Sequence, residues 1–185
     1  MGTNVTRHRF TVDDYHEMGR AGILDEDDRV ELIQGEIVEM SPISSTHAAI
    51  VARLTQLLVQ QLPEQIVWVQ NPIQLGTQSE PEPDIAVLRS REDYYASELP
   101  HAEDVLLLVE VADSSLRRDR EVKLPLYAAA GIAEVWVVDI DGRRVEICQI
   151  PTSAGYQDVT VAERDPEVLS GSIPHLTVSL KEILG

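Results

Sequence analysis

Three residues have the types and spacing for hydrolytic chemistry on a phosphate: Asp84, Glu110 and Lys123. Asp84 follows a proline and opens the apolar stretch Ile85 to Leu88. Glu110 lies near the end of a second apolar run, Val105 to Val111. A carboxylate in such a run is costly to desolvate, so Glu110 must reach the strand's exposed end or pair with a cation. Cations follow at once: Arg117, Arg118, Arg120 and Lys123. Two carboxylates on neighbouring strands can share one hard divalent ion, Mg²⁺ or Mn²⁺, with the backbone carbonyl of Val111 as a further ligand. Lys123 could then orient or deprotonate the attacking water, or stabilise charge on a phosphate. The three arginines would hold a phosphodiester backbone.

Each of these residues also has a plainer reading. An aspartate after proline is often a turn residue. Asp119 and Glu121 could take up the neighbouring cations as surface ion pairs. Basic side chains at a helix start oppose the macrodipole, so they need some partner anion. Pro125 sits in the first turn of the helix or kinks it, which leaves the face of Lys123 open by about a turn.

The elements that must position these groups follow from periodicity. Residues 105–139 read as strand, basic helix start, helix from Leu124 to Ala130 stopped by Gly131, and strand from Val135 to Val138: a βαβ unit. Continuous apolar strands imply burial on both faces. Upstream, Thr11 caps a helix over residues 11–20, with Asp13 and Asp14 in its first turn. A β-hairpin follows, Arg29 to Ile33 and Glu36 to Met40, turning at Gln34-Gly35. Glu31, Glu36 and Glu39 lie along it, and most are expected to face water. Ser44 or Ser45 caps a helix to about Leu62, with Val51, Leu54, Leu58 and Leu62 as its apolar stripe. His47, in its first turn, is either a capping or surface residue or a polar group at the site's edge. Strands are expected at Ile66 to Val69 and Pro72 to Leu75, a short helix and loop at 90–104, and a strand from Arg144 to Ile150. A loop is expected at Pro151 to Gly155, a peripheral strand at Tyr156 to Val161, and a last helix from Leu180 to Leu184 capped by Ser179. Early hairpins with one late crossover imply a mixed sheet in an α/β or α+β core.

Composition narrows the function classes. A chain of 185 residues reads as a single domain, 1–185, large enough for a full core. A net charge of −17 argues against a generic polyanion-binding surface, so any nucleic-acid contact must be local. Four of the 15 Lys and Arg fall between residues 117 and 123, which is such a concentration. The single Cys148, flanked by a strand pattern, reads as a buried structural thiol and fits a reducing, cytoplasmic setting. No apolar run reaches the roughly 18 residues of a membrane span. The myristoylation-like start at Met1-Gly2 and the sequon at Asn4 are too short to carry weight. GxGxxG, GxxxxGK and GxSxG motifs and zinc-ligand spacings are absent.

The strings RVELIQGEIVEMSP, PEPDIAVL and LLLVEVADSSLRRDREVKLPLYAAAGIAEVWVVD, with His47 between the first two, resemble the Uma-two family of putative restriction endonucleases. The likeness runs from RFTVDDYHEM to LTVSLKEIL. That family is assigned to the PD-(D/E)XK nuclease superfamily. The resemblance implies a restriction-endonuclease-like core: a mixed central sheet flanked by helices, with an N-terminal β-hairpin and peripheral C-terminal strands. It also implies a Mg²⁺-dependent endonuclease hydrolysing DNA. The superfamily's metal-binding aspartate falls on Asp84 and its second acid on Glu110. The lysine two residues after that acid is replaced by Ala112, and the resemblance shifts the role to Lys123 on the following helix. Glu31 matches a hairpin glutamate that assists the metal or faces the site. This chain has Gln34 where the family often has Asp, and Asp113 adds negative charge near the phosphate path. Cutting both strands implies a homodimer. Two other readings stand beside this one: a degenerate nuclease fold acting as a binding or assembly module, and a metal-dependent hydrolase of another phosphate ester.

Overall fold

The three most apolar runs, Ile85–Leu88 (β4), Val105–Ala112 (β5) and Glu134–Asp139 (β6), lie side by side in a six-stranded sheet. The computed structural model describes residues 7–25, 27–164 and 167–185. The N-terminal lipidation-like and sequon patterns lie outside them. The sheet is completed by Ile66–Val69 (β3), Arg144–Thr152 (β7) and Gly155–Glu163 (β8), in the order β3-β4-β5-β6-β7-β8. Only β5 and β6 run parallel; every other pair is antiparallel. The parallel pair needs a crossover, and the helical segment after β5 supplies it.

Helices cover both faces, which is why the central strands are apolar throughout. Ser45–Gln61 (α2) packs Ile50, Leu54 and Leu58 against Ile85, Val87, Leu107 and Val109. Leu180–Leu184 (α5) and the small pair Glu167–Leu169 (β9) and Thr177–Ser179 (β10) extend that layer. The opposite face packs Leu88, Leu108, Ala112 and Val137 under Leu126 and Tyr127, with Ile33 of the N-terminal hairpin in the same cluster. That hairpin is Val30–Ile33 (β1) and Glu36–Glu39 (β2), preceded by Val12–Arg20 (α1) with a Thr11 and Asp14 capping box.

The fold departs from the sequence reading at three places. Pro72 to Leu75 forms no strand; it is extended chain making one bridge, Gln74 to His101. Strand β7 runs on to Thr152 and β8 starts at Gly155, so the expected loop shrinks to a two-residue turn. β8 is peripheral as expected, the edge strand of the central sheet, paired along β7. The crossover helix begins at Leu116, not Leu124: Leu116–Arg118 (α3), a π turn Asp119–Lys123 and Leu124–Ala129 (α4) follow one another directly. Pro125 accounts for the π turn, because it has no N–H to bond the Glu121 carbonyl and the ladder widens just before it. As expected, most of the hairpin glutamates face water, Glu36 and Glu39 among them; Glu31 is only 2% exposed.

A buried carboxylate at the start of β6 fastens the C-terminal layer. Glu134 accepts from Trp136 Nε1 at 2.6 Å, from Gln149 Nε2 at 3.0 Å and from the backbone N–H groups of Gly171 and Ser172 at 2.9 and 2.7 Å. So many donors satisfy a charge with no exposure of its own.

Candidate active site

The register of β4 on β5 brings the two acids together. Ile85 pairs with Val109 and Ala86 with Leu108, so Asp84, one step before the strand, stands opposite Glu110 on the same face. Asp84 is held by both oxygens. Its Oδ2 accepts from the Val111 N–H at 2.7 Å, and its Oδ1 lies 2.9 Å from His47 Nε2. His47 sits in the first turn of α2, which Ser44 caps by accepting the His47 N–H at 3.1 Å.

Glu110 is deeper, 3% exposed. Its Oε1 accepts from Lys123 Nζ at 3.1 Å and from the Tyr127 hydroxyl at 2.5 Å. Lys123, also 3% exposed, donates to the Glu82 carbonyl at 3.2 Å and lies 3.4 Å from Glu31 Oε2. Glu31 in turn accepts from Arg118 Nη2 at 3.0 Å and from the Glu82 N–H at 3.1 Å. Arg118 closes the ring by donating to the Glu39 carbonyl at 2.6 Å. The hairpin, β5 and the crossover helix are thus tied by one charged network. Asp119, 2% exposed, accepts from the Ser115 hydroxyl at 2.7 Å beside it.

The structure therefore gathers Asp84, Glu110, Lys123, Val111, His47 and Arg118 around one cavity of about 50 Å³, with Glu82, Asp113 and Asp119 also in its lining. Glu31 stands behind it as a partner of Lys123 and Arg118. Two of the expected phosphate-holding arginines are elsewhere. Arg120 forms a bidentate pair with Glu146 of β7, its Nε 3.0 Å from Oε2 and its Nη2 on Oε1, and lies outside the lining. Arg117 is exposed and also outside it. Sequence reasoning missed Tyr127, which reads as part of an apolar helix stripe, and Asp119, which reads as surface charge. Their spacing from Lys123, four residues to either side, places all three on one helix face and is the signal that could have found them.

Electrostatics follow from burial. Desolvation pushes the Glu110 carboxyl up to about 8, with Lys123 pulling the other way. Burial alone would lower Lys123, but the carboxylates of Glu110, Glu31 and Asp119 outweigh it and hold the ammonium above its ordinary value. Burial also raises Asp119 and Glu82, the latter with help from Glu31. The hydrogen bond to Asp84 raises His47. All these groups bind protons more tightly folded than unfolded. Their contribution to stability is complete below their unfolded values and is lost as pH rises through the folded ones. For Glu110 that window runs from about pH 4.5 to about pH 8, where denaturant melts should show stability falling by up to about 1.4 kcal/mol per pH unit from this group; Lys123 contributes only above its ordinary value of 10.5. Glu110→Gln should flatten that slope; an unchanged slope would contradict the assignment.

The donor set fits a hard divalent cation. Among the described residues no group of three or more His, Cys, Asp or Glu forms a ready-made metal cage. Mg²⁺ needs none, since it keeps waters and takes one or two carboxylates. An ionised carboxylate offers about four lone-pair sites. Asp84 uses one on each oxygen, and Glu110 spends its hydrogen bonds on Oε1 alone. The cavity has room for an ion with some water. Among the described residues, the buried side-chain polar atoms left without a partner are His47 Nδ1 and Arg118 Nε, both on residues that line it. Unsatisfied groups at one place mark where a polar ligand completes the bonding.

No curated protein matches the chain. A crystal structure described as a putative nuclease belonging to DUF820, from Anabaena variabilis, superimposes with a TM-score of 0.74 at 19% identity, covering 95% of this chain and 97% of that one. At that identity the likeness is one of fold alone. The family model described as "Uma2: Putative restriction endonuclease" matches residues 12–181, and the chain belongs to that family.

Proposed function

We propose that this protein is a divalent-cation-dependent endonuclease that hydrolyses DNA phosphodiester bonds. The observation that carries the reading is the cross-strand pair Asp84 and Glu110 opening onto a polar cavity, with the Lys123 ammonium buried against Glu110. Asp84, Glu110 and the Val111 carbonyl would hold Mg²⁺ or Mn²⁺, which when bound supplies Lewis-acid polarisation of the phosphoryl oxygens and a more acidic water.

The rest falls to the chain's own side chains. Lys123 stays protonated between Glu110 and Glu31, so it acts as a fixed positive charge and not as a base. It fixes the Glu110 carboxylate and stabilises negative charge as it develops on the phosphate. His47 orients Asp84. Arg118 keeps an Nε–H in reserve for a phosphate oxygen. The substrate class comes from the family's description as restriction endonucleases. Cleavage of both strands calls for two sites related by symmetry, hence a homodimer, acting in the cytoplasm.

A second reading, a binding module on an inactive nuclease fold, is favoured by one fact: both Asp84 oxygens already have hydrogen-bond partners. Melting separates the two. For an endonuclease, saturating Mg²⁺ at about 100 times Kd should stabilise the wild type by roughly 2.7 kcal/mol, a rise on the order of 5–10 °C. Asp84→Asn should lose that rise. Equal shifts in both proteins would place the ion elsewhere; no shift in the wild type favours the binding module.

A further inference from the structure

A second feature of the same sheet end bears on how a long substrate would lie. Arg143, Arg164 and Lys181 line an open groove of about 520 Å³ with Gly142, Glu163 and Leu180. All three cations are exposed, and none forms a salt bridge among the described residues. Arg143 makes only a long 3.4 Å contact to the Gly185 carbonyl. In a chain of net charge −17 with only 15 Lys and Arg, three uncommitted cations in one groove are a local exception to a repulsive surface.

Their position follows from the register. Ala112, the last residue of β5, pairs with Asp139, the last of β6; Asp139 pairs with Arg144, the first of β7; and Arg144 pairs with Glu163, the last of β8. All four lie at one end of the sheet. The residues just after β5, Asp113 to Ser115, line the Asp84–Glu110 cavity. Arg143, just before β7, and Arg164, just after β8, line the groove. Three strand spacings separate β5 from β8, roughly 14 Å. One DNA strand carries a phosphate about every 3.4 Å of helix axis, so the span corresponds to about four nucleotides.

We infer that the groove is a phosphate-backbone track, in which Arg143, Arg164 and Lys181 hold the substrate strand about four nucleotides from the bond cut at Asp84 and Glu110. This rests on the endonuclease reading above. The contacts are to backbone, so they position the strand and carry no sequence information. Glu163 in the same lining limits the track to a few phosphates.

The test is fluorescence anisotropy of a labelled 20-base-pair DNA duplex titrated with wild type and with the triple variant Arg143→Ala, Arg164→Ala, Lys181→Ala across a salt series. Each lost phosphate contact should lower the slope of log K against log salt by about 0.9, so the triple variant should lose about 2.7. Its affinity should fall at least about tenfold at low salt, with the Mg²⁺-induced melting shift unchanged. Arg143→Lys with Arg164→Lys should keep the wild-type slope, because a point charge suffices for a backbone contact. A triple variant with the wild-type slope and affinity, in a protein that cuts DNA, would overturn the track and leave the endonuclease reading standing. A wild type that neither cuts nor binds the duplex would remove both.

Discussion

Lys123→Ala is expected to cost both stability and activity. The ammonium lies between two buried carboxylates, 3.1 Å from Glu110 and 3.4 Å from Glu31. Removing one partner of a buried ion pair strands the other, at about 3–5 kcal/mol. Part of that loss is recovered when Glu110 takes up a proton, since burial already holds its carboxyl up to about 8. Without the ammonium that pulls it down, the carboxyl binds its proton more tightly still, so the recovery lasts past that pH and fades only in more alkaline buffer, where the variant should be hit hardest. Turnover should fall by roughly 10²–10³, the value of one fixed charge at a transition state. Lys123→Met, which keeps the length of the side chain, measured well below its melting temperature, separates chemistry from unfolding. Pairing it with Glu110→Gln should give a coupling energy above about 1 kcal/mol in a double-mutant cycle of stability. Wild-type cutting by Lys123→Met would remove Lys123 from the mechanism. Additive stabilities would say that the pair is not coupled.

The sequence made the two acids legible for a physical reason. A glutamate in an eight-residue buried strand is so costly that it must have a partner, and the partner had to come from the cations just downstream. Asp84 was legible through the proline before it and the apolar strand after it. Which cation would arrive was not legible. Arg117, Arg118, Arg120 and Lys123 are equivalent in sequence, and only the helix phase sorts them. The π turn before Pro125 sends Lys123 and Asp119 inward, leaves Arg120 to Glu146 and Arg117 to solvent. Glu31 shows the same limit from the other side. Its alternation partners Glu36 and Glu39 face water as hairpin residues should, but the crossover helix covers Glu31 and no local pattern encodes that cover. Tyr127 was hidden because a phenol in an apolar stripe looks like core packing until its hydroxyl is found 2.5 Å from Glu110. Strand β8 extended beyond its expected ends because pairing with β7, not propensity, determines where it stops.

Asp84→Asn is the other change expected to have a large effect, and it bears on the chemistry alone. Asparagine keeps the shape and can still accept from the Val111 N–H through its carbonyl oxygen, so the fold should survive. What disappears is one negative charge at the place where a cation would sit. The central claim is therefore tested most directly by incubating supercoiled plasmid with purified protein in Mg²⁺, in Mn²⁺ and in EDTA, with wild type and Asp84→Asn side by side. The expected result is nicked and linear DNA from the wild type with either ion, none in EDTA, and a loss of at least about 10²-fold in Asp84→Asn, on the scale of removing one group that stabilises the transition state. Equal cutting by the two proteins, or cutting by the wild type that EDTA leaves untouched, would contradict a cation-dependent centre at Asp84 and Glu110.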